Sequence, residues 1–171
     1  MGAARRYRYV GPAELRSLAR PDRAGQPVRT QAEFAAWLAG RTAGELAEPF
    51  TFVVDRAGAL RLAPRRSEHV VCAGGDEVLC AGEIGFRLRA ESGRREVETV
   101  GNQSTGYCPD TGAWPPLAEA LDRAGIGRPA GFTYEVVFRR CPVCREVNVV
   151  REGYFFCVFC DGELPARWNV D

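Results

Sequence analysis

Two Cys-x-x-Cys pairs, Cys141-Pro142-Val143-Cys144 and Cys157-Val158-Phe159-Cys160, constrain the folding of this chain more than any other feature. Two residues between paired cysteines make a tight turn that points both thiolates at one tetrahedral ion. Twelve residues separate the pairs. They hold a β-rich run at 147–150, a turn at Arg151-Glu152-Gly153 and an aromatic run at 154–156, so they are expected to form a hairpin that brings the pairs together. The pattern is that of a zinc ribbon, with Cys141, Cys144, Cys157 and Cys160 as ligands of a structural Zn2+. Four thiolates leave no open coordination position, so such an ion supports folding and does not catalyse. An iron centre of rubredoxin type uses similar turns, and spacing alone leaves it open. A thioredoxin-like redox pair is disfavoured, because it needs a single Cys-x-x-Cys at a helix start in a βαβ unit.

The rest of the chain must supply its own core. With 171 residues, 46% of them hydrophobic, it can bury one domain of ordinary size beside a small appendage. The 23 basic residues nearly cancel the 22 acidic ones, so no global field draws the protein onto nucleic acid or an anionic membrane. Every basic side chain is Arg and none is Lys, which fits a GC-rich bacterial genome. Seven of these (Arg5, Arg6, Arg8, Arg16, Arg20, Arg23, Arg29) fall in the first thirty residues against Glu14 and Asp22, and read as a solvated arm. No apolar run follows that start, and no stretch of about 18 apolar residues occurs anywhere, so neither a signal peptide nor a membrane helix is expected. A cytoplasmic location follows as the expectation. In that reducing compartment seven cysteines are metal ligands or small core residues, not disulfides.

Periodicity predicts an α+β fold: an antiparallel β-meander with covering helices, plus the small C-terminal zinc ribbon. A short strand is expected at 7–10, then a helix entered at Pro12 and running to about Ala19. Thr30-Gln31-Ala32-Glu33 is a capping box, whose helix buries Phe34, Trp37 and Leu38 and stops at Gly40. From Phe50 the period becomes two. Phe50, Phe52 and Val54, then Leu60 and Leu62 beyond the turn at 55–58, make a hairpin. Alternation from Cys80 through Ile84, Phe86 and Leu88, returned by Ser92-Gly93 to 96–100, extends it to four or five strands. Trp114, Leu117, Leu121 and Ala124 share a helical face between Pro115-Pro116 and Gly125. A last strand is expected at 132–138. The expected division is an α+β domain over 1–131, with a helical part at 1–49 and the meander and helix at 50–131, followed by the ribbon at 132–171.

Residues 67–110 hold the only His and a high density of small and polar residues. His69 and Glu83 are candidates for base and acid, and Tyr107 for orienting a carbonyl or phosphate. Asn102, Gln103, Ser104 and Thr105 are candidate ligand-binding donors on a Gly-bounded loop. The bland alternative is that His69 caps a turn, Glu83 pairs with Arg87 or Arg89, and 102–105 close the meander. His69, Cys72, Cys80 and Cys108 form a weaker candidate for a second metal site, weaker because Cys80 lies on the Ile84-Phe86 face expected to be core.

In order along the chain come a strand pair, His69, Gly74-Gly75, Ala81-Gly82-Glu83, and then Asn102-x-Ser104-x-x-Tyr107-x-Pro109 before a helix. Over about residues 50–125 this order resembles the central module of plant IQ-motif calmodulin-binding proteins and some bacterial effector-like proteins. The resemblance implies a shared fold and a shared polar site. It does not imply two-histidine chemistry, because a second His expected near Ser104 is absent, and no IQ motif is present.

Three functions compete on these residues. The favoured one is a binding or regulatory module that recognises a ligand or protein partner through the polar loop, with the ribbon as a staple. The second is a small enzyme using His69, Glu83 and Tyr107. The third is a nucleic-acid binder acting through the ribbon and the Arg-rich start, disfavoured because Arg139, Arg140, Arg145 and Arg151 are answered by Glu146, Glu152, Asp161 and Glu163. No membrane partner is expected.

Overall fold

The computed structural model describes residues 2–171, and they adopt an α+β fold. Five strands form one antiparallel sheet: β1 (Gln26–Val28), β2 (Phe50–Asp55), β3 (Leu60–Ala63), β4 (Val78–Leu88) and β5 (Arg95–Gly101). Their spatial order is β1-β3-β2-β4-β5. The sheet is therefore not a simple meander, since β2 sits between its hairpin partner β3 and the long β4. Strand β1 falls within a Pro- and Gly-rich stretch and was not expected; Pro27 is tolerated there because β1 is an edge.

Central position explains why β2 departs from strict alternation. Phe52, Val53 and Val54 are all fully buried, so both faces of this strand are covered. The buried polar residue of the strand, Thr51, shares its hydroxyl proton between the carbonyls of Arg65 and Ser67. On β4 the predicted apolar face holds as far as Phe86. A register shift at Gly85/Phe86 follows, and Leu88 is exposed, not core.

The helices are α1 (Ala13–Arg16), α2 (Gln31–Ala39), α3 (Ala43–Leu46), α4 (His69–Cys72) and α5 (Trp114–Arg123). The capping box at α2 is present: Glu33 N–H donates to Thr30 Oγ1, while Glu33 Oε2 accepts from the amides of Thr30 and Arg29. Gly40 closes the helix, and Phe34 and Trp37 pack with Phe50 and Phe86 beneath it. A second capping box, Thr42 with Glu45, starts α3. Helix α5 has its two prolines in the first turn and Gly125 at φ 67° past its end, as the spacing required. Helix α1 is only one turn long, and the strand expected at 7–10 reduces to a single bridge from Tyr7 to Val78. No helix among the described residues is long and apolar enough to cross a membrane.

Residues 132–136 do not form the expected strand. Thr133 donates to the Val100 carbonyl beside the end of β5, and regular pairing begins only at β6 (Val137–Arg140), which pairs with β7 (Val147–Val150). The tail then returns along β6: buried Arg139 holds the carbonyls of Pro165 and Ala166, and Asn169 holds both backbone groups of Arg140. Trp168 meets Tyr7 edge-on at 5.3 Å and donates to the Cys108 carbonyl. The tail thus ties the ribbon to the sheet.

Candidate metal centre

Each cysteine pair is the tip of its own hairpin, which corrects the expectation that the residues between the pairs form the hairpin. In the first, Cys141 donates its amide to the Glu146 carbonyl, and Arg145 donates to the Cys141 carbonyl. The second repeats this one for one. Cys157 donates to Gly162, and Asp161 donates to Cys157. Arg145 and Asp161 occupy matching left-handed positions, at φ 69° and 60°. Such a backbone turn leaves amides directed at the sulfurs, and those amides, not the side chains between the cysteines, set its shape.

The two tips face each other. All four sulfurs lie within 4.8 Å of one another, with Cys141 Sγ 3.6 Å from Cys160 Sγ and Cys144 Sγ 3.5 Å from Cys157 Sγ. Four sulfurs about 2.3 Å from one tetrahedral ion stand about 3.8 Å apart. The group can hold a metal ion. Disulfides would need sulfurs about 2.05 Å apart, and all seven cysteines are free.

Asn148 is the supporting residue that spacing did not reveal. Buried on β7, it accepts the Val158 amide through Oδ1 at 2.9 Å and donates through Nδ2 to Cys157 Sγ at 3.4 Å and to the Glu146 carbonyl. One side chain therefore locks the first hairpin to the second and feeds a hydrogen bond to a ligand atom. Burial opposes ionisation of Cys157, but the Phe159 amide, Asn148, the Cys160 amide and the Cys144 thiol outweigh it and pull the thiol down to about 6. Cys141 is lowered as well, chiefly by the Cys144 amide, whereas Cys144 and Cys160, despite the pull of the Glu146 and Gly162 amides, are raised by burial and by hydrogen bonds with the neighbouring thiols. Thiolates are the form a metal needs.

The other candidate residues occupy different surroundings. The half-buried His69 has Nε2 2.9 Å from the Gly82 carbonyl, the position of an N–H donor, and burial lowers its pKa. Tyr107 is buried, donates to the Asp76 carbonyl at 2.6 Å, and is pushed upward by burial and then by the neighbouring Cys72 and Asp76. Glu83 stands beside the Tyr134 phenol, which burial and that carboxylate raise to about 12. Arg87 and Arg89 pair instead with Glu96. Imidazole Nε2 and phenol hydroxyl are both committed to backbone carbonyls.

The polar loop also turns inward. Asn102 is fully buried, donates to the carbonyls of Pro109 and Val136, and accepts the Val136 amide. Ser104 is buried and accepts the Tyr107 amide, while Gln103 and Thr105 remain exposed. Gly106 and Gly101 are required by aromatic rings: a Cβ would collide with Tyr9 at the first and with Tyr134 at the second. Cys72, Cys80 and Cys108 are separately buried thiols raised by desolvation, the first and third to about 12. Among the described residues they and His69 do not gather into a second ligand cluster.

Among its exposed residues the ribbon carries several large apolar side chains. Val143, Val149, Tyr154, Phe156, Val158 and Phe159 are open to solvent, and residues of β7 and of 154–159 line a groove of about 300 Å3. Tyr154 and Phe156 pack against each other on its wall, their rings tilted by 45° with centroids 5.2 Å apart. Comparison of the chain with protein-family models, with curated proteins and with solved structures found no match, so the resemblance over residues 50–125 rests on its own residues.

Proposed function

We propose that this chain is a binding or regulatory protein whose four-cysteine centre holds one structural zinc and whose ribbon presents an apolar face to a protein partner. A four-thiolate set suits zinc or iron alike, and zinc is the reading for a sequence in which no other redox feature stands out. The observation that carries the reading is the distribution of exposed apolar side chains. Of nine large hydrophobic residues left exposed among the described residues, six lie within 143–159. Clustering of that kind marks an interaction surface, whereas scattered exposure does not.

The polar loop was the expected recognition element, but Asn102, Ser104 and Tyr107 spend their hydrogen-bonding capacity inside the fold. Charge favours protein over nucleic acid as the partner. Five Arg (139, 140, 145, 151, 167) meet five acids (146, 152, 161, 163, 171) over 137–171, and four thiolates around a divalent ion add a net negative charge. Seven free cysteines support a reducing, cytoplasmic setting.

The test begins with metal analysis by native mass spectrometry, which should find one zinc per chain. Partners cross-linked to the full chain are then purified and reconstituted with wild type and with a Tyr154→Ser/Phe159→Ser variant of equal zinc content. At least tenfold weaker binding by the variant is expected. Unchanged affinity for every reconstituted partner rejects the apolar face as the recognition surface.

A further inference from the structure

The two outer edges of the ribbon sheet are treated in opposite ways. Immediately before β6, Asn102 bonds both the amide and the carbonyl of Val136, and at its end Asn169 does the same for Arg140. Two side-chain amides thus stand in for a neighbouring strand. Because Arg140 points its backbone groups outward, its partner Val147 belongs to a pair without mutual hydrogen bonds, and by alternation so does Val149 opposite Phe138. The amides and carbonyls of Val147 and Val149 therefore point away from β6, and none of them has a hydrogen-bond partner among the described residues. That open edge borders the apolar groove. An unpaired edge is normally covered or blunted by charge, and here only the β6 side is covered.

We infer that the β7 edge and its groove bind an extended peptide segment of a partner protein by strand addition, with apolar side chains at alternate positions and an acidic group reaching Arg151. This deepens, and rests on, the reading of the ribbon face as a protein-binding surface. Backbone groups of Val147 and Val149 supply the pairing, and Tyr154, Phe156 and Val158 receive every second side chain. Arg151 lines the groove and makes no ion pair among the described residues, so it selects an acid. A second copy of this chain is a poorer occupant. A twofold contact would set a recess against the same recess, and the six exposed side chains offer roughly 600 Å2, short of the about 800 Å2 per partner of a standard interface.

The test pans a displayed library of random twelve-residue peptides against the zinc-loaded full chain. Enriched sequences should carry apolar residues at i, i+2 and i+4 with an acid at one end. A synthetic copy should slow hydrogen exchange at the Val147 and Val149 amides at least tenfold. N-methylation of its edge-facing amides should weaken binding at least tenfold, and Val149→Pro, which removes an N–H that the fold does not use, should do the same. If that variant loses zinc, the N-methylated peptide decides. Helical spacing in the enriched sequences, or indifference to N-methylation, overturns strand addition while leaving the apolar face intact. Unchanged binding to a Tyr154→Ala/Phe156→Ala variant, or no enrichment over it, overturns the face as well.

Discussion

The sheet body and the ribbon solve the same problem with different physics. In the body, β2 and β4 bury Phe50, Phe52, Val54, Ile84 and Phe86 among aromatics from α2 and aliphatics from α5, so apolar area alone can outweigh chain entropy. The ribbon has two small clusters, Cys141, Val150, Cys157 and Leu164 beside the sulfurs and Phe138 and Val170 with Cys108 at the joint with the sheet, and two of the first four belong to the group that can hold a metal ion. A segment so small cannot hold itself together by burial. Six of its large apolar side chains, Val143, Val149, Tyr154, Phe156, Val158 and Phe159, face solvent instead.

The sharpest way to break this contrast is to remove the metal. Replacing Cys157 with Ser, or chelating the zinc we propose there, should forfeit a binding free energy on the order of 10 kcal/mol. Amide exchange should then become fast across 141–164 while β2 and β4 stay protected; uniform loss of protection would mean that the body also depends on the ion. The converse variant, Phe52→Ala, should cost about 3–5 kcal/mol in chemical denaturation and leave the zinc content at one per chain. Metal loss in that variant would erase the distinction.

Asn102→Ala probes the joint between the regions. It strips both backbone partners from Val136, and we expect a cost of about 1–3 kcal/mol together with faster exchange at β6. A change confined to 102–107 would show that the clamp does not couple the two parts. Asn148→Ala acts within the ribbon alone. Losing the bond to Cys157 should weaken zinc about tenfold in a competition titration, with β4 unaffected. The smallest effect concerns His69, whose folded pKa lies below the unfolded value of 6.5 because burial disfavours the charged ring. The unfolded state then binds the extra proton, so stability should fall as pH drops below 6.5, and His69→Asn should flatten that fall. An unchanged slope in the variant would assign the pH dependence elsewhere.

How much of this was legible depended on how local each signal is. The Thr30–Glu33 capping box, the prolines of α5 and the strand signals of β2 and β4 act within a few residues, and each element appears where its pattern places it, although β2 is buried on both faces and Leu88 of β4 is exposed. Strand β1 and the order of the sheet depend on pairing across long sequence distances, for which a Pro-rich segment carries no local sign. The polar loop is ambiguous in sequence for a related reason. Asn102, Ser104 and Tyr107 read identically whether their hydrogen bonds go outward to a ligand or inward to backbone, and only the approach of residues 134–136 and of Asp76 decides between them.

By itself the sequence determined that four thiols would meet, because a two-residue spacer permits one tight turn at each pair and a thiolate-rich quartet has one favourable use. Tertiary structure decided everything around that quartet: which hairpin carries which pair, that Asn148 reaches Cys157, that Asn102 and Asn169 seal one edge, and that β7 leaves the other open. The physical reason is that a backbone amide looks the same in every residue. Whether it is paired depends on what the rest of the chain brings beside it.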